Sequence, residues 1–401
     1  MNELARPRTF VLGAQMLFVA FGALVLVPLL TGLDPSVALF TAGAGTLLFH
    51  IVTGFRVPVF LASSFAFIPA IIGGIALFGL PATLSGLMAA GLVYVLLSAV
   101  IKSRGVESVH KILPPIVTGP VIMAIGLYLA PVAIDMATGV AIGEYSWTFI
   151  LIAAVSLAAT VITALLARGI FKLIPIMVGI AAGYVVSLMF GMVDFSPVVQ
   201  AAWVAAPQFV MPAFSLAAIL FIVPVAIAPA IEHVGDIIAI RGVTGEDYLK
   251  KPGLHRTMLG DGLATILASF FGGPPNTTYS EVTGAVTLTK AYSPLIMVVA
   301  SVIAIILAFV GKLGAILATI PVPVMGGILV VLFGSIVVIG INTLVKAQVD
   351  FSDNRNLIIV AVILVFGVGG MALNIGDFSL AGIGLAGVSG VLLNLLLPRK
   401  S

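Results

Sequence analysis

The chain has no cysteine in 401 residues, and only 8% of its residues carry charge. The first absence excludes a disulfide framework and any thiolate metal site. The second sets the chain far from soluble globular domains, in which about a quarter of residues are charged. Also missing are a Walker loop, a Ser-x-x-Lys or Gly-x-Ser-x-Gly nucleophile motif, an Asp-Asp-x-x-Asp run and any His/Asp/Glu cluster at zinc spacing. Hydrolysis, ATP-driven transport and metal chemistry are therefore not expected: the chain reads as no enzyme, with no cofactor and no metal. What is present is apolar, with 61% hydrophobic residues and a mean hydropathy of +1.29. That is the composition of a polytopic protein embedded in a lipid bilayer. The net charge of +3 comes from cations lying between apolar runs, which orient a chain in a membrane rather than bind nucleic acid. The N-terminus has no Ala-x-Ala cleavage site and reads as leading straight into a first span rather than as a removable signal peptide.

Charged, Gly and Pro punctuation divides the chain into about fourteen apolar segments: 10–32, 36–53, 58–79, 82–101, 113–135, 148–167, 173–192, 213–240, 254–272, 276–290, 292–310, 317–343, 356–373 and 378–397. The expected fold class is thus an all-α polytopic membrane protein. With the N-terminus inside and loops numbered alternately, 17 of the 18 Lys and Arg fall on one side, and only Lys312 on the other. This asymmetry predicts both termini in the cytoplasm of a multi-pass protein of the cell (inner or plasma) membrane.

Against that background a few acids stand out. Glu232 and Asp236 interrupt an apolar run beginning at Phe214. At about 1.5 Å per residue, Glu232 lies roughly 13 Å inside Arg241, near the membrane midplane. An ionisable group at that depth costs at least about 2.5 kcal/mol, so it faces a cavity, holds a proton or binds something. Glu281 follows, after Pro274-Pro275-Asn276-Thr277-Thr278-Tyr279-Ser280. Glu232 and Asp236 are four residues apart and share one helix face. Two acids so close in a poor dielectric do not both ionise readily, which gives a proton-holding pair. The plainer reading of Asp236 is a hydrogen bond to backbone at a broken span. Asp261, one span away, reads either as a coupling or hydrogen-bonding residue or as a helix-end acid. His233 is about 100° round the helix from Glu232 and is expected to pack or cap locally. His50, His110 and His255 sit near span ends, where no role is expected.

Two segments are unlike the rest. Phe60 to Pro69 and Asn276 to Gly284 are rich in hydroxyls, aromatics and β-branched residues beside Pro. Each reads as an interrupted span, a short extended stretch leading into a half-helix. Such backbone survives at membrane depth only where it is buried in protein or lines a cavity, and a matched pair marks a transporter binding site. Leu113-Pro114-Pro115-Ile116-Val117-Thr118-Gly119 echoes Ile320-Pro321-Val322-Pro323-Val324-Met325-Gly326. If these open segments 5 and 12, the chain is two sets of seven, and an odd number makes the repeat inverted. Gly119, Gly326 and Gly327 are expected to let gate helices approach the core closely.

Gln15 to Pro28 with Phe21, Gly22 and Ala23, Ser63-Ser64-Phe65-Ala66-Phe67, Glu232-His233-Val234-Gly235, Pro252-Gly253-Leu254-His255-Arg256 and Pro275-Asn276-Thr277-Thr278-Tyr279-x-Glu281-x-x-Gly284 together resemble the nucleobase/ascorbate transporter family, and within it the bacterial uracil:proton symporters. The resemblance runs from about residue 10 to 398. It implies two inverted repeats of seven, with short β-strands in segments 3 and 10 meeting at the substrate. It also implies a substrate-binding core of residues 10–104 and 213–310 (segments 1–4 and 8–11) and a gate of 111–192 and 316–398 (segments 5–7 and 12–14). By the same likeness Glu232 binds the base and takes part in proton coupling with Asp236 and Asp261, and Glu281 is a second ligand. Backbone amides at Phe65 and Ser280 meet ring carbonyls, Phe65 and Tyr279 pack near the ring, and Ala23 and Ser64 line the site.

The implied function is proton-coupled import of a nucleobase, uracil first, by an elevator-like motion of core against gate. The implied partners are the base, protons, the bilayer and a second copy of the chain through gate segments. The chain departs from the usual uracil-carrier pattern at Asp236, where His is common, and at Ser280 and Val282. Asp236 resembles several purine carriers, so a xanthine or uric acid carrier is the alternative, whereas Glu281 favours a pyrimidine. An anion exchanger or channel of the same fold is the other alternative. It should place a cation between segments 3 and 10, yet none precedes Lys290 there.

Overall fold

The computed structural model describes residues 7–105, 111, 114–375 and 378–398, and the side chains of Ala23, Ile170, Leu173, Ala228, Ser280 and 374–381 lie outside the described ones. Arg6, His110, Leu113, Arg399 and Lys400 of the sequence reading also fall outside. Helix boundaries follow the local punctuation. Helix α2 (Pro35–Thr53) starts where Asp34 accepts a hydrogen bond from the Ser36 amide at 2.7 Å, with Pro35 in the first turn. It stops at Gly54, which is left-handed with φ 66°.

Among the described residues the other main helices are α1 (Pro7–Thr31), α3 (Phe65–Phe78), α4 (Leu80–Arg104), α5 (Pro115–Thr138), α6 (Trp147–Leu166), α7 (Pro175–Met189), α8 (Leu216–Thr244), α9 (Leu254–Phe270), α10 (Ser280–Thr289), α11 (Pro294–Ala308), α12 (Val322–Lys346), α13 (Asn354–Val368) and α14 (Gly382–Leu396), with short helices at Ser196–Gln200 and Gly311–Ala318 in the connections. The fourteen segments expected from the sequence fall on α1–α14. Seven of the helices are long and apolar enough to cross a membrane. Helix α3 opens in a 3-10 turn at Phe65–Phe67, and α8 carries another at Val223–Ala226 around Pro224.

The two interrupted spans are as expected. Strand β1 (Leu61–Ser63) pairs antiparallel with β2 (Asn276–Thr278) in the register Leu61 to Thr278, Ala62 to Thr277 and Ser63 to Asn276. All six residues are buried. Each strand is held at its first residue by a threonine from the preceding helix. Thr46 of α2 accepts from the Leu61 amide at 2.9 Å, and Thr265 of α9 donates to the Asn276 carbonyl at 2.8 Å. These grips satisfy backbone groups that have no water to turn to at membrane depth.

The packing repeats with the same internal symmetry. The contact of α4 with α9 has its mate in α2 with α11, that of α1 with α11 in α8 with α4, and that of α6 with α7 in α13 with α14. Contacts of α5 with α12 and of α2 with α9 map onto themselves. An inverted repeat of seven segments produces this pattern, because segments seven apart occupy equivalent places.

The structure corrects two expectations. Residues 372–381 do not continue the helices on either side. Ala372–Ile375 (β3) and Phe378–Ala381 (β4) pair antiparallel, and α14 begins at Gly382, whose φ is +49°. Gly119, Gly326 and Gly327 also face different partners from those expected. A Cβ at Gly119 would meet Gly340 and Leu344 of α12, one at Gly326 the Ala137 backbone of α5, and one at Gly327 the Ala153 carbonyl of α6. These glycines pack α5, α6 and α12 on one another rather than on the strand-bearing helices.

Candidate functional site

The paired strands end at two helix N-termini. Ser63 leads through Ser64 into the turn at Phe65, and Thr278 leads through Tyr279 into α10 at Ser280. First-turn amides have no intrahelical acceptor, so each start presents free N–H donors inside the protein. The side chains around them are aromatic and acidic. Phe65 and Tyr279 lie with ring centroids 6.5 Å apart and planes tilted by 30°. Glu281 occupies the first turn of α10, where a carboxylate complements the helix dipole.

From the opposite side α8 presents Glu232, half-buried, while Glu281 is exposed. The acids acting most strongly on Glu232 are Glu281 and Asp261. A Cβ added at Gly235 of α8 or at Gly284 of α10, one turn from Glu232 and Glu281 respectively, would meet nothing within 4 Å. The buried Ser64 hydroxyl and Tyr279 phenol have no hydrogen-bond partner among the described residues. Polar atoms of that kind are what a ligand with matching donors and acceptors would satisfy.

The structure thus brings Phe65 to Tyr279 and Glu281 to Glu232, although these positions span more than half the chain, and the open space beside Gly235 and Gly284 is the candidate crevice. Ala23 lies on α1, and its side chain, like that of Ser280, is outside the described ones. Asp236 is buried, and its Oδ2 accepts a hydrogen bond from Thr278 Oγ1 at 2.9 Å, so it ties α8 to β2. Asp261 is fully buried on α9, not at a helix end, and lies 3.4 Å from His233 Nδ1.

His233 differs most from the sequence reading. It is fully buried with polar partners on neighbouring elements; its Nε2 is 3.0 Å from Thr257 Oγ1 and its Nδ1 3.4 Å from Thr278 Oγ1. The available signal was its own rarity, one of four histidines and set at membrane depth beside a Glu. A rotation of about 100° from the substrate face excluded ligation but left open a polar partner on a neighbouring segment. Among the described residues no group of three or more His, Asp and Glu is arranged to hold a metal ion.

Apolar segments in an inverted repeat with two broken, paired spans are the architecture of a membrane transport protein. Comparison with known proteins gives the family. The model of a permease family matches residues 7–376. The chain belongs to this family, the nucleobase/ascorbate transporters, and is a transport protein rather than an enzyme. It is 53% identical over 398 residues to a probable uracil permease of Haemophilus influenzae, covering 99% of this chain and 96% of that one. It is also 46% identical over 396 residues to the uracil permease of Bacillus caldolyticus, covering 97% and 92%. Among solved structures, the transmembrane domain of the cyanobacterial bicarbonate transporter BicA matches with TM-score 0.65 at 13% identity, covering 97% of both chains. Murine Slc26a9, an anion transporter in the inward-facing state, matches with TM-score 0.73 at 13% identity, covering 97% of this chain and 68% of that one. At such identity these two structures speak for the fold alone.

Proposed function

We propose that the chain is a proton-coupled symporter that imports a nucleobase, uracil first, by alternating access. The observation that carries this reading is the placement of Glu232 and Glu281 beside two inward-pointing helix starts. A uracil-like base has two N–H donors and two carbonyl acceptors around a flat ring. Carboxylates accept from its N–H groups, the amides at Phe65 and Ser280 donate to its carbonyls, and the Phe65 and Tyr279 rings offer apolar faces. The names of the curated relatives support the same substrate. An anion, as carried by the structural neighbours, finds two acids here and no Lys or Arg between β1 and α3 or from β2 to the end of α10. Asp236, in the place where purine carriers also have Asp, favours a purine as the second reading.

A neutral base brings no charge to the midplane, so an ionised Glu232 would have to cross as a net negative site at a cost of several kcal/mol. Protonation of Glu232 removes that cost and couples transport to protons, with Asp236 tuning the acid. The moving unit in this proposal is α1–α4 with α8–α11, sliding against α5–α7 with α12–α14. Support comes from packing: the two sets meet mainly where α8 lies on α5, β4 and α14, and where α1 lies on α7. Both termini are then cytoplasmic in the cell membrane, and two copies associate through the second set.

Labelled-uracil uptake into proteoliposomes tests the proposal, with an imposed pH gradient, sodium absent and unlabelled nucleobases as competitors. Uptake should rise as external pH falls, vanish with a protonophore and be competed best by uracil. Accumulation that follows sodium and ignores protons overturns symport, and preferential competition by xanthine overturns the pyrimidine assignment.

A further inference from the structure

The buried cluster behind the crevice contains one base among several acids, and its hydrogen-bond directions can be worked out. Thr257 Oγ1 donates to the Leu254 carbonyl at 3.0 Å, so it offers only lone pairs to His233 Nε2, 3.0 Å away. Nε2 therefore carries a proton. Thr278 Oγ1 donates to Asp236 Oδ2 at 2.9 Å, so it too offers only lone pairs to Nδ1, 3.4 Å away. The second neighbour of Nδ1 is Asp261 Oδ2, also at 3.4 Å. Both ring nitrogens thus face acceptors, an arrangement that suits an imidazolium with two N–H donors and does not suit a neutral ring. Asp261 needs that partner. Both its oxygens are buried, and the groups that approach them are the His233 ring and the Thr278 backbone amide, of which only His233 can bring a charge. A carboxylate so placed is strongly unfavourable unless an opposite charge lies beside it.

We propose that His233 and Asp261 form a second proton-holding site of the carrier, an imidazolium–carboxylate pair connected to Asp236 through the Thr278 hydroxyl. The relay balances. The proton on His233 Nδ1 passes to Thr278 Oγ1 while the original Thr278 proton passes to Asp236 Oδ2. One N–H bond and one O–H bond break, two O–H bonds form, and the cluster's net charge is unchanged. His233 ends neutral, Asp236 protonated and Asp261 ionised without an opposite charge beside it, a higher-energy state through which the proton passes before His233 is protonated again. The proton can therefore move between the deep pair and the crevice wall without a net charge entering the membrane interior. Other titratable groups turned toward the cluster are Glu232 on α8 itself, Tyr94 on α4 and Tyr279 next to β2, with Glu281 of α10 beyond them against Glu232; neither phenol has a hydrogen-bond partner among the described residues. The protonation state stands on geometry alone, whereas its use in coupling rests on the symport reading above.

Two measurements separate these parts. The chain has four histidines, so replacing His50, His110 and His255 by Gln leaves His233 as the sole imidazole for nitrogen-15 NMR in lipid nanodiscs. If that triple variant does not fold, subtracting the spectrum of His233→Gln from that of the unaltered protein isolates the same signal. Both ring nitrogens of His233 should be protonated at neutral pH, and Asp261→Asn should strip the proton from Nδ1. An Nδ1 that is unprotonated in the unaltered protein overturns the pair, whatever the transport assays show.

The relay is read by comparing uptake driven by a pH gradient with uracil counterflow, which exchanges base without net proton movement. In Thr278→Val, gradient-driven uptake should fall at least tenfold while counterflow stays within about twofold of the unaltered protein, and Thr278→Ser should restore both. Equal losses in the two assays, or no loss in either, overturn the relay. A failure of the unaltered protein to respond to the gradient would instead overturn the symport reading and leave the NMR result standing.

Discussion

The midplane cluster of α8, β2 and α9 and the seam between α5 and α12 lie in one protein but are held together in opposite ways. In the seam small residues let backbone touch backbone. A Cβ at Gly340 would lie 2.5 Å from the Gly119 carbonyl, and one at Gly126 would lie 2.6 Å from the Phe333 carbonyl. Around the cluster, polar groups bridge three elements, and open space adjoins Gly235 and Gly284. Without a hydrophobic drive between helices in lipid, close van der Waals contact supplies the cohesion of the seam. Hydrogen bonds and paired charges supply that of the cluster. The seam should therefore tolerate no added atom, whereas loss of polarity in the cluster should be felt first in proton transfer.

The largest expected effect is on the cluster's crevice. Glu232→Gln and Glu281→Gln should each abolish or severely reduce uracil uptake while the protein stays folded. Loss of a hydrogen bond to a charged group is worth about 1.5–3 kcal/mol, or roughly one to two decades in affinity. Binding of uracil to both purified variants with unaltered affinity would remove these acids from the site.

Next in size is a pair of glycine substitutions that sets the two regions side by side. Gly326→Ala forces a methyl onto the Ala137 backbone and should lower stability by about 1–3 kcal/mol. Gly235→Ala enters open space and should leave the melting temperature unchanged while weakening uracil binding. If the two variants melt alike, the contrast between seam and crevice fails.

A smaller effect is expected at Asp236. Asp236→Asn keeps an acceptor for Thr278 but removes a titrating group, so the pH optimum of uptake should move more than the ranking of competing bases. A changed ranking at an unchanged optimum would make Asp236 a recognition residue.

The smallest effect lies outside both regions, at an acid in the exposed loop after α7. The Ser196 hydroxyl, and then its backbone amide at 2.8 Å, hold the Asp194 carboxyl below its usual range. A carboxyl lowered in the folded state adds stability above its unfolded pKa, which is lost as pH falls through the folded value. Ser196→Ala should remove most of this acid-side dependence of the melting temperature and leave uptake at neutral pH untouched. A reduced uptake would give this loop a part in transport.

Much of the fold was legible because lipid imposes simple rules. Each crossing needs a long apolar run, and broken backbone needs burial, so segments 1–14 and the interrupted pair could be read from hydropathy and Pro-rich punctuation. The β3–β4 hairpin was not legible. Leu373, Ile375, Phe378 and Leu380 keep the stretch apolar enough to pass for helix ends, although Asn374, Asp377 and Ser379 interrupt it, and the strand pairing is seen only in the structure. Glycine positions were visible as small residues, but their partners were not. A close approach depends on which helix arrives, and Gly326 met α5 where the strand-bearing helices had been expected.

The site divides in the same way. The sequence by itself determined that Glu232 and Glu281 sit at depth, because distance along a helix from the nearest cation fixes height in the bilayer. It also determined that the two broken spans belong together, because they recur at equivalent places of a repeat. Only the tertiary structure decided which groups share protons. Asp236 reached across to Thr278, and Asp261 came to lie against His233. Helical spacing specifies the direction a side chain takes from its own axis, but what it meets there depends on how neighbouring helices are rotated and packed, which no single segment encodes.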